Sequence, residues 1–183
     1  MKTTFEQLYD EYHKDLYQYI FYMVKNKEQT EDILQDVYIR VLKSYQKFKG
    51  NSSERTWLFS IARHVTFDYF RSLKRKRQRI KEFFNWGAEG EMIKANEPLP
   101  EEVTILDEQM KLLYRLLDQC NWDQKHVIIL RYLQDFNIKE TADILGWSIS
   151  KVKTTQHRAL KVLKALMEDA REKEDVDHEN KSF

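Results

Sequence analysis

The sequence predicts an all-α protein of two small helical domains joined by a flexible linker, the C-terminal one containing a helix-turn-helix. Three observations predict it. Four glycines and two prolines in 183 residues leave few turns, which favours helices. Apolar residues recur at three- and four-residue steps along most of the chain, the period of a helix with one buried face. Between Phe83 and Leu106 that pattern lapses, Gly87, Gly90, Pro98 and Pro100 gather, and acids outnumber bases, as in a linker. The expected domains are residues 1–81 and 105–168, with a linker at 82–104 and a charged tail at 169–183.

Taken in order, Thr3 or Thr4 is expected to cap a first helix whose buried stripe is Phe5, Leu8, Tyr9, Tyr12, Leu16, Ile20 and Met23. Lys25–Gln29 reads as a polar loop, and Thr30 as the cap of the next helix, with Glu31 and Asp32 at its positive end. Ile33, Leu34, Val37, Val41, Leu42 and Tyr45 form that helix's inner stripe, and Asp32, Gln35, Asp36, Ile39 and Lys43 lie on another face. Phe48 to Ser53 is turn-rich, and a third helix starts near Glu54. Its core stripe is Trp57, Leu58, Ile61, Ala62, Val65 and Tyr69. Phe59, Arg63, Thr66, Phe67, Phe70, Arg71 and Lys74 share the other side. Rings interleaved with cations suit a single-stranded nucleic acid, because rings stack on unpaired bases while cations follow the backbone. Phe59 and Phe67 are equally consistent with core positions. From Arg71 to Lys81, seven residues in eleven are basic, which favours phosphate contact. A fourth helix is expected from Pro100 or Val103 to Leu117, burying Leu106, Met110, Leu113 and Leu117. A short helix from Gln124 to Tyr132 buries Val127, Ile128 and either Leu130 or the stem of Arg131.

The most informative stretch is Asn137–Leu166. Asn137 and Glu140 stand three apart, in the pattern of a capping box. Ala142 is small enough to let two helices approach, Gly146 can adopt the positive φ that ends a helix, and Ser148 offers a new cap. With Ile138 as position one, alanine, glycine and Val152 fall where a helix-turn-helix needs a close approach, a turn and a plug. Val152, Leu160, Leu163 and Leu166 are expected inside. Ser150, Lys151, Lys153, Thr154, Gln156, His157, Arg158 and Lys161 make a polar surface with no carboxylate. Lysine and arginine neutralise phosphates, and arginine, glutamine and threonine bond to base edges, so this helix is expected to bind duplex DNA. Glu168 to Phe183 is expected to fray.

Composition narrows the remaining classes. Net charge is +1, so the molecule is no polycation and its basic charge is segregated. A lone Cys120 excludes an internal disulfide and a cysteine-rich zinc site, and is expected to pack beside a turn. No apolar run reaches membrane-spanning length and no signal sequence opens the chain, so a reduced, cytoplasmic setting is expected. His13, His64, His126 and His157 are scattered over separate helices and His178 lies in the tail. With no nucleophile, metal or phosphate-loop motif, neither catalysis nor a cofactor or small-molecule substrate is expected.

The segments TEDILQDVYIRVL, RTWLFSIARHVTFDYFR and IKETADILGWSISKVKTTQHRALKVL, in that order, resemble bacterial RNA polymerase sigma factors of the extracytoplasmic-function class, nearest in wording to the sigma-X type. The resemblance runs from Phe5 to Met167. It implies that Thr30 to Lys43 docks on the clamp of core RNA polymerase, through Thr30, Glu31, Asp32, Gln35, Asp36, Ile39, Arg40 and Lys43. It implies that Gly50, Asn51, Ser52 and Ser53, with Arg63, Phe67, Phe70, Arg71 and Lys74 on the helix that follows, read the melted minus-ten element on the non-template strand. It implies that the surface from Ser148 to Arg158, set by Asn137, Ala142 and Gly146, reads the minus-thirty-five element in the major groove. A membrane-bound anti-sigma factor and a stress or cell-envelope regulon are expected from the class. The competing reading is a helix-turn-helix repressor or activator that acts without polymerase and carries a sensor in its N-terminal half.

Overall fold

The computed structural model describes residues 4–84 and 108–180. Thr3, the glycines and prolines of the expected linker, and Leu106 lie outside the described residues. Every regular element within them is a helix, and the helices form two units.

The N-terminal unit comprises α1 (Thr4–Val24), α2 (Lys27–Ser44) and α3 (Glu54–Phe84), each packed on the other two. Leu8, Leu16, Ile20 and Met23 of the expected α1 stripe are buried, whereas Tyr9 is exposed and Phe5 and Tyr12 are half-buried. The end of α1 is buried all round, since Tyr19, Phe21 and Tyr22 are covered as well. Burial pushes the Tyr19 hydroxyl far above its usual range. Lys25 then takes a left-handed φ of 59° and its N–H bonds the Phe21 carbonyl, closing the helix as a glycine usually does.

The start of α2 differs from expectation. Asn26 is the cap, its side-chain oxygen accepting the Gln29 N–H at 2.9 Å. Thr30 lies one turn inside, fully buried, with its hydroxyl donating 2.7 Å to the Asn26 carbonyl. A threonine whose hydroxyl is satisfied by the preceding turn can be buried without cost to its polar group. Ile33, Leu34, Val37 and Val41 complete the α2 core. Leu42 was expected with them but is 57% exposed.

In α3, Leu58, Ala62 and Val65 are buried as expected. So are Phe59 and Thr66 from the supposed outer face. Phe59 sits 5.4 Å from the Tyr19 ring, and Thr66 donates to the Ala62 carbonyl. Both therefore belong to the core.

The C-terminal unit comprises α4 (Glu108–Leu116), α5 (Trp122–Ile128), α6 (Ile138–Leu145) and α7 (Ile149–Asn180). Leu117 is buried in a 3-10 turn that follows α4, while Met110 and Leu113 are half-buried. Asn121 and Gln124 form a reciprocal capping box at the head of α5. This helix starts two residues before the expected Gln124, and Ile129–Leu133 continues it as a π turn. It buries His126, Val127, Ile128, Ile129 and Leu130, and packs on α7. Cys120 is buried beside the preceding turn, and burial raises its thiol's pKa. On α7, Val152 and Leu163 are buried as expected. Ala159 joins them, whereas Leu160 is 41% exposed. The segment from Glu168, expected to fray, is helical as far as Asn180, and residues 181–183 lie outside the described residues. Among the described residues no helix is long and apolar enough to cross a membrane.

Candidate nucleic-acid interface

Three surfaces carry the polar residues singled out above. The first is the outer face of α2. Glu31, Asp32, Gln35, Asp36, Arg40 and Lys43 are all exposed, and Ile39 is 47% exposed among them. Arg40 pairs with Asp68 of α3 at 2.8 Å, leaving the carboxylates of α2 to solvent. Thr30 drops out of this face because it is buried. Leu42, assigned to the core from its spacing, joins it instead. Two half-exposed aliphatic side chains one turn apart, ringed by charge, form an apolar centre with a polar rim.

The second surface begins at the loop after α2. Gly50 adopts a φ of 69°, a left-handed conformation that glycine enters freely. Asn51 and Ser53 are exposed and Ser52 is half-buried. Ser53 is also the cap of α3, its hydroxyl accepting the Thr56 N–H at 3.1 Å. From beneath, the Tyr45 hydroxyl donates to Glu54 at 3.0 Å, and the rings of Phe48 and Tyr45 lie 4.9 and 5.9 Å from Trp57. The loop is therefore held on a rigid aromatic base. Beyond it, Phe67 is 41% exposed, with the Arg63 guanidinium 5.6 Å from its ring centre. Phe70 is half-buried, and Arg71 and Lys74 are exposed. With Phe59 and Thr66 inside, Phe67 and Phe70 are the candidate rings that remain on this face, beside Arg63, Arg71 and Lys74.

The third surface is the helix-turn-helix. Asn137 Oδ1 accepts the Glu140 N–H at 2.9 Å, and Glu140 Oε2 accepts the Asn137 N–H at 2.8 Å. The capping box is reciprocal, as its spacing predicts. Gly146 has a φ of 67°, and the Trp147 N–H bonds the Ala142 carbonyl at 2.9 Å, which closes α6 in a Schellman turn. Ser148 Oγ caps α7 through the Lys151 N–H at 3.2 Å. Asn137 and Gly146 thus shape the motif. Ala142 and Val152 are buried in it, so Ala142 supplies a close approach and no DNA contact.

On α7, Ser150, Lys151, Lys153, Thr154, His157, Arg158 and Lys161 are exposed, and no carboxylate occurs from Ile149 to Met167. Lys151 stands apart from the rest. Its ammonium lies 3.7 Å over the Trp147 ring and 3.4 Å from Asp123 of α5. Gln156 does not belong to the open face. It is half-buried, and its Oε1 accepts a 3.0 Å bond from Arg131 Nε. Gln156 is one turn beyond Val152, so both point to the inner side. That placement follows from the spacing of the two residues and was legible in the sequence.

The arrangement pairs a ring-and-cation surface with a helix-turn-helix whose second helix bears a basic, carboxylate-free face on one chain. The family model described as Sigma-70 region 2 matches residues 8–76, and the one described as Sigma-70, region 4 matches residues 110–163. Over 172 residues the chain is 55% identical to the ECF RNA polymerase sigma factor SigX of Bacillus subtilis (strain 168), covering 94% of this chain and 88% of that protein. The chain belongs to the extracytoplasmic-function class of RNA polymerase sigma factors. This sigma factor is also 33% identical to the RNA polymerase sigma factor YlaC of Bacillus subtilis (strain 168), over 96% of this chain and 98% of the relative. Among solved structures it resembles the sigma factor RpoE in complex with the anti-sigma factor NepR from Bartonella quintana. That match has a TM-score of 0.69 at 26% identity, over 90% of this chain and 96% of the other. As a sigma factor, it binds core RNA polymerase and directs initiation at promoters.

Proposed function

We propose a division of that work among the three surfaces. The α2 face docks on the clamp of core polymerase, with Ile39 and Leu42 as its buried centre and Glu31, Asp32, Gln35, Asp36, Arg40 and Lys43 setting register. Gly50, Asn51, Ser52 and Ser53 cradle unpaired non-template bases of the minus-ten element. Phe67 and Phe70 stack on them, while Arg63, Arg71 and Lys74 follow the phosphates. Ser150, Lys153, Thr154, His157 and Arg158 face the minus-thirty-five duplex, with Lys151 released from Asp123 to a phosphate.

The observation that carries this reading is the exposed Ile39–Leu42 pair on a helix whose inner stripe is already complete. A repressor would have no use for it. The deciding experiment adds the purified chain to core enzyme and scores co-elution and promoter-specific run-off transcripts. Operator binding that core enzyme leaves unchanged, with no transcripts, would sink the proposal. An anti-sigma protein, of the kind bound by the RpoE relative, is expected to hold this chain inactive by covering the same faces. A stress or cell-envelope regulon fits that mode of control.

Two expectations separate the DNA surfaces. Phe67→Ala should leave assembly with polymerase intact and weaken promoter opening by about 1–3 kcal/mol, the worth of one stacked base. Permanganate reactivity of unpaired thymines reads this directly. Asn51→Ala tests the loop without removing the Ser53 cap, a loss that alone would cost about 1 kcal/mol of helix stability. Lys153→Ala and Arg158→Ala should behave according to what each touches. Loss of a phosphate contact reduces the slope of log affinity against log salt by about 0.9 on every duplex. Loss of a base contact removes about 1–3 kcal/mol of discrimination at one position. Salt titration and footprinting of the two variants distinguish these outcomes, and an unchanged slope and footprint for both would remove α7 from the DNA.

A further inference from the structure

One guanidinium ties the two halves of the helix-turn-helix to the helix before it. Arg131 lies half-buried in the π turn Ile129–Leu133. Its Nη1 donates to the carbonyl of Phe136, the residue before the α6 cap. Its Nε donates to Gln156 on α7. An arginine offers donors only, so the Gln156 amide must turn its oxygen inward to meet it. Apolar packing at Val152 resists separation of the helices but is non-directional. Two bonds from one planar group fix an angle. The π turn matters here, because one extra residue in a turn rotates the side chains that follow it, and it is this turn that carries Arg131.

We infer that Arg131 is a positioning residue for promoter reading: through Gln156 and the Phe136 carbonyl it holds α7 at the angle at which its exposed face meets the base edges. This rests on the proposal that α7 enters the major groove. Base contacts tolerate misplacement of only about half an ångström. Long lysine side chains reaching for phosphates adapt to a tilted helix. Loss of the link should therefore erode discrimination while sparing general affinity for DNA.

The test uses holoenzyme assembled from the full chain and core polymerase. It is titrated on a promoter duplex that wild type selects and on the same duplex with its upstream element scrambled. Gln156→Leu should lower the ratio of the two affinities about tenfold, the worth of one charge-assisted bond, and Arg131→Ala, which also removes the Phe136 bond, by at least as much. The double variant should fall no further than Arg131→Ala, since that change already removes the Gln156 bond. Gln156→Glu keeps an acceptor for the guanidinium and should stay within about twofold of wild type. Binding to the scrambled duplex, its salt slope and the thermal midpoint should hardly move.

Equal losses on both duplexes, an additive double variant, or a Gln156→Glu as damaging as Gln156→Leu would overturn the inference. If Arg131→Ala does not fold, the two Gln156 variants decide the matter, because they leave the Phe136 bond in place. Lys153→Ala and Arg158→Ala run alongside. If they change neither affinity, the major-groove reading falls and the inference with it. If they weaken binding while Arg131→Ala leaves the ratio intact, the inference alone falls.

Discussion

Val152→Asp should abolish recognition of the upstream promoter element while leaving the chain able to bind core polymerase. Val152 is fully buried where α7 turns away from the Gly146 bend. The Arg131 guanidinium one turn away is already bonded to Gln156 and the Phe136 carbonyl, so the new carboxylate would be taken out of water at a fully covered apolar position. Such a group costs more than about 4 kcal/mol. A unit of this size has only about 4–10 kcal/mol of stability in total. The helix-turn-helix unit should therefore unfold, and helicity should fall by the share that α4–α7 contribute. Circular dichroism measures that loss, and duplex binding measures its consequence. Val152→Ala, which only removes two methyl groups, should retain the fold. If Val152→Asp kept full helicity and promoter binding, the plug assigned to Val152 would be wrong.

The second large effect is expected on α2. Replacing both Ile39 and Leu42 by aspartate should weaken assembly with core polymerase by about 3 kcal/mol, on the order of a hundredfold. The estimate takes burial of two half-exposed aliphatic side chains on docking as its basis. Neither residue is needed inside the folded unit, since they are 47% and 57% exposed. The thermal midpoint should accordingly stay near that of wild type. Asp36→Arg should weaken assembly less, because a rim charge contributes mainly to register and encounter rate. Competition for core enzyme against wild type gives the ratio. A double variant that competed equally well would place the polymerase-binding surface elsewhere on the chain.

The parts of the molecule legible in the sequence are those decided within a few residues. The capping box of Asn137 and Glu140, the left-handed Gly146 and the Ser148 cap are local devices, and each is found as read. Residues at the margin of an apolar stripe were not legible. Leu42 and Leu160 continue the spacing of buried neighbours, yet which edge residue is covered depends on the helix that packs there. Likewise Phe21 and Tyr22 fall outside a one-faced stripe, and burial all round the end of α1 is a tertiary effect. Asn26 and Thr30 are both good cap residues, four apart. Only the burial of Thr30 decides between them. The π turn leaves no periodic trace, because a single extra residue shifts phase without changing composition. Gln156 is the instructive miss, since its polarity suggested an open face while its spacing from Val152 already turned it inward.

Helix α7 starts at the residues proposed to read the promoter and continues without interruption to Asn180. At 1.5 Å per residue, Glu172 stands about 33 Å from Ser150 along one rod. A tilt of 10° about the DNA-facing end would therefore swing Glu172 through about 6 Å. The charged extension is in mechanical terms a pointer, and a probe placed near its far end would amplify small changes in how the chain seats on its promoter.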